Sequence, residues 1–344
     1  MKKVSVVILN WNGADLLRAY LPSVCEHTCS QLADVVVADN GSDDNSLQVL
    51  RDEFPEIKVI AMPVNSGFAE GYNIALRHIR TEYVVLLNSD VEVTPNWLEP
   101  MLEYAEAHPE VAAIQPKIRA LRQPTHFEHA GAAGGYIDRF GFPFCRGRIF
   151  DSVEEDRGQY DTIQDIFWAT GACLFTRTED YVQAGGLDAL FFAHMEEIDL
   201  CWRFHRMQKR VVCVPQSVVY HLGGATLDTE NPRKTYLNFR NNLLMLYKNL
   251  PLKQRRQIIF QRKLLDGVAA LHFLLKGKVQ NFTAVFNAHL DARQMIRQHY
   301  AASGQEDRPE VISQINCNNR SIVKAYYLGG KKRFSDLMCS AEKR

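Results

Sequence analysis

The chain has 344 residues, of which 46% are hydrophobic and 23% charged, a composition typical of a folded globular protein with a large core. Its 40 basic residues balance its 40 acidic residues, so no overall basic field favours nucleic acid as a partner. The eight cysteines include neither a CxxC pair nor a Cys/His cluster with zinc spacing, which predicts reduced thiols in a cytoplasmic protein.

Short apolar runs alternate with helical patterns through the first half of the chain. The first run is too short for a signal-peptide core and is predicted to be a strand, and no apolar stretch is long enough to span a bilayer. Predicted strands cover residues 4–9, 35–38, 57–61 and 83–87, and predicted helices cover 15–26, 45–54 and 68–80. Continuous Val/Ile/Leu strands separated by helices indicate an α/β fold, with a mostly parallel sheet sandwiched by helices.

The pattern changes in the second half of the chain. Residues 117–165 are rich in glycine and aromatic residues without a period, which predicts irregular loops over the sheet. Further strands are predicted at 171–177 and 211–214, and further helices at 178–184, 196–208, 236–250, 258–275 and 282–300. We therefore predict a catalytic domain over 1–250 and a helical, basic extension over 251–344, loosely ordered after about residue 304.

Polar side chains follow each of the first four predicted strands. Asn10 and Asn12 follow the first, Asp39 the second, Asn65 the third, and Asp90 the fourth. Because ligands of open α/β sheets bind outside the carboxyl ends of the strands, four such ends together predict a polar rim that faces a ligand. The segment around Gly67 and Gly71 contains neither a P-loop nor a GxGxxG fingerprint, which disfavours ATPases and dehydrogenases.

Two acids in this rim have both a functional and a structural interpretation. Asp90 could hold a divalent cation together with substrate phosphates, or the Asn-Ser-Asp sequence could simply end a strand in a turn. Asp39 could accept hydrogen bonds from a nucleobase or ribose, or it could cap the helix that begins near residue 43.

A second acidic site lies at the predicted helix 196–208. Glu197 follows an aromatic loop, where partial desolvation would raise the carboxylate pKa towards that of a general base. Alternatively, Glu196 and Glu197 complement the macrodipole at the helix start. His221 ends an apolar run as either a metal or phosphate ligand or an ordinary strand-end histidine.

Taken in order, these segments resemble the family 2 inverting glycosyltransferases with a GT-A fold, and most of all their rhamnosyltransferase-like bacterial branch. The resemblance extends from residue 4 to about residue 250. It rests on residues 4–13, 37–44, 65–69, 86–90, 168–175 and 196–203, followed by His221.

The resemblance implies a donor site for a nucleotide-diphosphate sugar. Asn10 and Asn12 would line the nucleotide pocket, and Asp39 would bind the base. Asn65 and Asn73 would hold the nucleotide or its sugar. Ser89 is a further candidate for donor binding.

The resemblance also implies a metal and a base. Asp90, with His221, would coordinate Mg²⁺ or Mn²⁺ that bridges the diphosphate, although the Asn-Ser-Asp motif carries fewer acids than the family often has. Glu197 falls where the family's base, usually Asp, would stand. The longer side chain leaves Glu196 as a competing assignment.

The expected reaction is inverting transfer of a sugar to a hydroxyl of a glycan or a polyprenyl-diphosphate-linked acceptor, in cell-surface polysaccharide synthesis. Two alternatives are a nucleotidyltransferase and a non-catalytic protein that binds sugar nucleotides or glycans. A nucleotidyltransferase would need basic residues in the loop after the first strand, where Asn10-Trp11-Asn12-Gly13 has none.

The basic helices after residue 250 also allow two interpretations. They could rest on the anionic inner face of the cell membrane as a peripheral attachment, or they could cap the catalytic domain with a solvated basic face. Arg240 and Asn241 are expected to face the site and contact an acceptor phosphate.

Overall fold

A computed structural model describes residues 2–223, 231–300 and 321–338. In the first third of the chain, each of the first three parallel strands is followed by a helix, as predicted. The elements are β1 (Val4–Asn10), α1 (Ala14–His27), β2 (Ala33–Asp39), α2 (Ser46–Glu53), β3 (Lys58–Ala61), α3 (Gly67–Leu76), β4 (Tyr83–Asn88), β5 (Val91–Val93) and α4 (Glu99–Ala107).

The middle of the chain completes the large sheet and adds a small one. Its elements are β6 (Val111–Ala120), β7 (Gln123–Phe127), β8 (Gly135–Ile137), β9 (Pro143–Cys145), β10 (Arg148–Ile149), β11 (Ser152–Val153), β12 (Gln164–Asp165), β13 (Cys173–Arg177), α5 (Thr178–Gln183), α6 (Glu196–Arg206) and β14 (Arg210–His221). The prediction of irregular loops over 117–165 is wrong at the end of β6, at β7 and at β12, and also for 135–153, where β8 to β11 form a four-stranded antiparallel sheet. Strands of two or three residues are too short for an alternating pattern to emerge in the sequence.

The large sheet has ten strands, and its main path runs β12-β14-β6-β13-β4-β1-β2-β3. Strands β4, β1, β2 and β3 are parallel, and β14 is parallel to β6. Strand β13 is antiparallel to both of its neighbours, β4 and β6. The α/β prediction of a mostly parallel central sheet is therefore confirmed.

Helices cover both faces of this sheet. Along β1, Val6 and Ile8 join an apolar cluster with α1, α2 and α4, whereas Val7 joins a second cluster with α3, α6 and α7. This alternation follows from the two-residue period of a strand, which sends neighbouring side chains to opposite faces. The two layers leave the strand ends as the edge where polar residues gather.

The last part of the described chain is helical. It comprises α7 (Pro232–Asn249), α8 (Leu252–Leu275), α9 (Val279–Met295), a π-helical turn (Ile296–Tyr300), α10 (Ile322–Tyr327) and α11 (Phe334–Met338). The expected loose order after residue 304 is wrong for 321–338, where α10 and α11 form, whereas 301–320 and 339–344 lie outside the described residues. No helix in the described ranges is both long and apolar enough to cross a membrane.

The boundary predicted at residue 250 stays a proposal. Pro251 separates α7 from α8, as expected for a boundary. Ala292, Ile322 and Phe334 nevertheless lie in the same buried apolar cluster as Val7 of the first strand. The helical extension thus shares its core with the sheet domain. Six of the eight cysteines are free thiols, and Cys317 and Cys339 lie outside the described residues.

Candidate active site

The carboxyl ends of β1, β2 and β4 bring the first polar residues together. In the parallel ladders Asn10 pairs with Asp39, and Leu9 pairs with Asn88, so the three strands end at nearly the same level. Asn10 and Asp39 are completely buried. The rim predicted from the strand ends is therefore a continuous edge of the sheet.

Asp39 lies at the centre of a small hydrogen-bond network. Its carboxylate accepts hydrogen bonds from Asn10 Nδ2 at 2.9 Å, from the Ser42 amide at 3.0 Å and from the Ser42 hydroxyl at 2.6 Å. Asn12, in a left-handed conformation with φ of 51°, accepts from the Asp43 amide at 2.9 Å. These bonds fix the β1 and β2 ends to each other. Trp11 between the two asparagines remains 46% exposed, which offers an aromatic surface at this rim.

Asn40 connects this network to the start of α3. Its side chain donates to Asn65 Oδ1 at 3.1 Å and to the Gly67 carbonyl at 3.0 Å, and accepts from the Ser66 amide at 3.0 Å. Asn65 Oδ1 also accepts from the Gly67 amide at 2.8 Å. Asn65 thus lies at the rim, as expected. Asn40 was missed, although its place in the Asp-Asn-Gly turn was a sequence signal.

Asn73 is engaged away from the strand ends. It donates to the Leu187 carbonyl at 2.7 Å and accepts from the Leu187 amide at 3.0 Å and the Tyr181 hydroxyl at 2.8 Å. The side chain thereby attaches α3 to the turn that leads into residues 190–195. Its donor-binding role stays a prediction.

Asp90 and His221 meet although 131 residues separate them. The antiparallel pairing of β14 with β5 sets His221 opposite Val91, which brings His221 Nε2 to 3.1 Å from Asp90 Oδ1. Each residue is only 6% exposed. Ser89 is half-buried in the turn between β4 and β5.

Glu128 lies on the other side of the imidazole, with Oε2 at 3.4 Å from His221 Nδ1. Burial alone would lower the pKa of His221, but the contacts with Asp90 and Glu128 outweigh it and raise the pKa to about 10. A histidine between two carboxylates matches the usual surroundings of a metal-binding imidazole, whose second nitrogen bonds to an acid. Glu128 was not predicted, because no spacing relates it to His221.

The donor set at this position fits a hard divalent cation that also binds substrate. Asp90 offers carboxylate oxygens, and His221 beside it offers a ring nitrogen once the cation displaces the proton that the two carboxylates stabilise. Within the described residues no cluster of three or more His, Cys, Asp or Glu side chains suits a metal ion. Magnesium-type sites often use one or two protein ligands and complete their coordination with phosphate oxygens and water.

Glu196 and Glu197 begin α6, as predicted. Burial raises the pKa of Glu197 to about 7. Burial and the negative charge of Glu197 together raise the pKa of Glu196 well above its usual range. Each carboxyl group has a buried oxygen without a hydrogen-bond partner. Burying an unpaired oxygen costs free energy, so such an atom in a folded protein often has a catalytic or binding role.

The two carboxyl groups have different surroundings. Glu196 is 4% exposed, and its negative charge contributes to raising the pKa of Tyr181 in α5. Glu197 is half-buried, and a Cβ added at Gly171 would lie 4.0 Å from its Cβ. Gly171 directly precedes Ala172, whose carbonyl accepts from the Asn88 amide at 3.0 Å. The Cβ of Glu197 therefore lies close to Gly171, whose neighbour Ala172 is hydrogen-bonded to the end of β4.

The loop before α6 has a strained backbone. Phe192, His194 and Met195 have positive φ values of 65°, 71° and 71°, a region that residues other than glycine rarely adopt. The Phe192 carbonyl accepts from the Phe68 and Ala69 amides at 2.7 and 3.2 Å. Residues 190–195, the catalytic loop of the function proposed below, thus rest on the start of α3.

Helix α7 holds this loop from the other side. Asn241 Nδ2 donates to the carbonyls of Phe191, Ala193 and His194 at 2.8–2.9 Å, and Arg240 Nη2 donates to those of Leu190 and Phe191. The expectation that Arg240 and Asn241 contact an acceptor phosphate therefore gives way to a structural role. Their position on the helix gave no signal for it, since the contact crosses 50 residues.

A buried ion-pair network anchors α6 itself. Lys248 Nζ lies 2.8 Å from Asp199 and 2.5 Å from Asp188, and Arg203 lies 2.9 Å from Asp199. Burial would raise the pKa of Asp199, but the two cations hold it at about 2. Helix α6 therefore has a fixed position relative to α7.

Known glycosyltransferases share this fold and part of the sequence. Residues 5–167 match the model of the family described as Glycosyl transferase family 2. The N-acetylglucosaminyl-diphospho-decaprenol L-rhamnosyltransferase of Mycobacterium tuberculosis is 24% identical over 230 residues, which cover 63% of this chain and 75% of that protein.

Two solved structures are similar over most of their length. The mannosyltransferase PcManGT from Pyrobaculum calidifontis, in complex with GDP-Man and Mn²⁺, has a TM-score of 0.51 and 16% identity, covering 88% of this chain and 80% of that one. The S. aureus protein TarS has a TM-score of 0.55 and 17% identity, covering 96% and 92%.

The fold is the GT-A fold, with a mixed α/β sheet covered by helices on both faces. Residues 5–167, slightly less than half of the chain, are similar to the family 2 glycosyltransferases, and 230 residues are similar to a rhamnosyltransferase. The family resemblance inferred from the sequence is therefore confirmed.

Proposed function

We propose that the protein transfers a sugar, with inversion, from a nucleotide-diphosphate sugar to a hydroxyl of a glycan or polyprenyl-diphosphate-linked acceptor. One observation carries this proposal. The carboxyl group of Glu197 has a pKa of about 7 and a buried oxygen without a partner, and the Cβ of this residue lies close to Gly171, near the end of β4. A base with such a pKa is matched to taking a proton from a hydroxyl near neutral pH.

The donor nucleotide is proposed to lie along the ends of β1, β2 and β3. Asn10 and Asn12 would line its pocket, and Asp39 and Asn65 would accept or donate hydrogen bonds to the base and ribose. Ser89 would lie near the sugar or diphosphate. Support comes from the bonds between Asn10, Asp39 and Ser42, which fix the network before a ligand arrives.

Asp90 and His221 would hold a divalent cation, Mg²⁺ or Mn²⁺, against the diphosphate of the donor. When bound, such a cation would stabilise the negative charge that develops on the leaving diphosphate. The contact between Asp90 and His221, with Glu128 behind the imidazole, supports this assignment. The protein's own part is to present two adjacent donors in a nearly buried position.

Glu197 would act as the base of a single displacement. Its carboxylate takes the proton of the acceptor hydroxyl while the oxygen attacks the anomeric carbon, and the bond to the diphosphate breaks with its electron pair. Glu196 would instead stay protonated, because burial and the charge of Glu197 raise its pKa. Its greater burial supports this division.

The acceptor and the location follow from a relative and remain part of the proposal. The Mycobacterium tuberculosis protein is named for a diphospho-decaprenol substrate, so we propose a lipid-linked glycan as acceptor and a role in cell-surface polysaccharide synthesis. The reaction would then take place at the inner face of the membrane, with the protein attached peripherally. The six free thiols suit that reducing compartment.

The donor can be identified by thermal unfolding with UDP-, GDP-, dTDP- and CDP-sugars, each with and without Mn²⁺ or Mg²⁺. A ligand that binds the native state raises the unfolding temperature by mass action. We expect one nucleotide class to stabilise the protein, and more strongly with the cation. No response to any of them would contradict the donor assignment.

Glu197→Gln and Glu196→Gln then test the base. Glu197→Gln should lower kcat about 10²–10⁴-fold, the usual contribution of a general base, and leave the donor's thermal shift unchanged. Glu196→Gln is the matched control, the same substitution at the adjacent glutamate, and should retain most activity. Equal losses in both variants would remove Glu197 as the base.

A further inference from the structure

Helix α8 has its polar and apolar faces inverted relative to a helix that covers a core. The side chains that it buries include Arg255, Arg262 and Asp266. Arg262 Nε donates to Asp266 at 2.7 Å and its guanidinium lies 3.8 Å from the centre of the Phe142 ring. Charged side chains on the inward face therefore contact partners within the protein, as Arg262 contacts Asp266 and Phe142.

The opposite face of α8 is apolar and exposed. We define the α8 outer row as Phe260, Leu264, Val268, Leu271 and Leu275, which are 63%, 58%, 67%, 53% and 78% exposed. They recur every three or four residues, so they lie along one side of the helix over about 22 Å. A contiguous exposed apolar surface of this kind is unusual for a protein face that meets only water.

Positive charge surrounds the α8 outer row. Lys253 and Arg256 are exposed at one end, Lys263 beside its centre and Lys276 at the other end. Asp266 is the only acid in α8, and it is buried against Arg262 and His289. The solvent-facing side of the helix therefore combines apolar side chains with basic ones and carries no negative charge.

We propose that the α8 outer row docks on an anionic phospholipid surface, with its apolar side chains in the headgroup region and the four basic side chains against lipid phosphates. Helices with an apolar face and a basic border bind membranes in this way. The proposal deepens the proposed function, on which it rests for the lipid-linked acceptor, by naming the surface that meets the membrane.

Charge favours a lipid surface over a second copy of the chain. Two copies of the α8 outer row facing each other across a two-fold axis would bring Lys263 and its basic neighbours together without an acid to pair with them. Residues 252–300 contain nine Lys and Arg residues against two acids, Asp266 and Asp291, and Asp291 already accepts from the Tyr236 hydroxyl at 2.7 Å. An anionic surface supplies the missing charge.

The test is sedimentation of the full chain with vesicles of phosphatidylcholine, with and without one quarter phosphatidylglycerol. We expect the anionic vesicles to bind at least tenfold more strongly, since each basic residue near such a surface contributes about fivefold. A variant with Leu264→Glu, Val268→Glu and Leu271→Glu should lose at least tenfold in binding. These positions are exposed, so folding should be retained, as circular dichroism can verify.

The single variants Val268→Glu and Val182→Glu form a matched pair. The two valines are 67% and 68% exposed, but Val182 lies on α5. Val268→Glu should weaken binding to anionic vesicles several-fold, and Val182→Glu should leave it unchanged. Equal effects of the two single variants on vesicle binding would overturn the proposal, as would wild-type protein that does not bind anionic vesicles. So would light scattering that shows a wild-type dimer and a monomeric triple variant, because the row would then be a dimer contact.

The donor thermal shift keeps this result separate from the proposed function. It should be the same in wild-type protein and in the triple variant, because α8 contributes no residue to the strand-end rim. Vesicle binding without any response to nucleotide sugars would leave the docking surface standing and remove the transferase proposal. A response to a nucleotide sugar without vesicle binding would support the transferase proposal and remove the docking surface.

Discussion

The two sides of the candidate active site are held in place by different kinds of contact. On the donor side, parallel backbone ladders set the ends of β1, β2 and β4, and short turns supply the hydrogen bonds to Asp39. On the base side, the catalytic loop adopts three left-handed conformations at residues other than glycine. Each costs of order 1 kcal/mol, so the loop persists only if its surroundings stabilise it.

That stabilisation comes from α7. Five hydrogen bonds from Arg240 and Asn241 reach the carbonyls of residues 190–194, and Lys248 fixes α6 through Asp199. The position of Glu197 therefore depends on a helix that begins 35 residues further along the chain. Changes on the donor side should weaken donor binding, whereas changes in α7 should slow the reaction without weakening donor binding.

The largest effect is expected on the donor side. Asp90→Asn should lower transfer about 10³-fold, because it removes the carboxylate charge beside His221 that we assign to the cation. It should also abolish the extra thermal stabilisation that Mn²⁺ gives to a bound nucleotide. Asp43→Asn, an exposed acid in the neighbouring β2–α2 turn, is the control and should keep the Mn²⁺ response. An unchanged Mn²⁺ response in Asp90→Asn would separate Asp90 from the cation.

On the base side, Asn241→Ala should lower kcat about 10²-fold, because a displacement of about 1 Å in a catalytic group has an effect of this size. The carbonyls of Ala193 and His194 would lose the side-chain donor that Asn241 now supplies, and the left-handed loop would relax. The thermal shift with the donor nucleotide should persist.

Asn242→Ala provides the matched control for that variant. Asn242 is equally buried but donates to the Gly141 carbonyl at 2.7 Å, away from the catalytic loop. It should lose stability without a comparable loss of kcat. Equal kcat in the two variants would show that the loop does not need α7.

The pH dependence should come from the base side alone. With a pKa of about 7, Glu197 is protonated at low pH, so kcat/KM should rise about tenfold per pH unit up to about pH 7 and then level off. Stability should follow the opposite direction. The folded state holds this proton more tightly than the unfolded chain, whose carboxyl pKa is 4.5, so stability is lost as pH rises from about 4.5 to about 7. Glu197→Gln should remove the pH dependence of the rate and reduce that of stability, to which Glu196 still contributes because its pKa is also raised. A rate that is flat between pH 5 and 7 would contradict the assignment.

The difference between the donor side and the base side also explains which parts of the site could be predicted from the sequence. Strand ends have local signals, and the polar residues after β1, β2 and β4 were recognised from apolar runs and turn chemistry. The start of α6 at Glu196 was also predicted. Glu128 behind His221 and Asn241 behind the catalytic loop could not be found in this way, because tertiary contacts across 93 and 50 residues give no periodic signal. The small sheet of β8 to β11 was missed for a related reason, since strands of two or three residues are too short for a pattern to show.

The smallest expected effect concerns Asn73, which links the two sides. The resemblance assigns it to the donor, whereas its amide bonds to Leu187 and Tyr181 at the turn before the catalytic loop. Asn73→Ala should destabilise the protein by about 1–3 kcal/mol in urea unfolding, because buried partners lose their hydrogen bonds. The thermal shift with donor nucleotide should be retained if Asn73 acts only on that turn. Unchanged stability together with a lost nucleotide response would instead assign Asn73 to the donor side, and the division between the two sides would then run through α3.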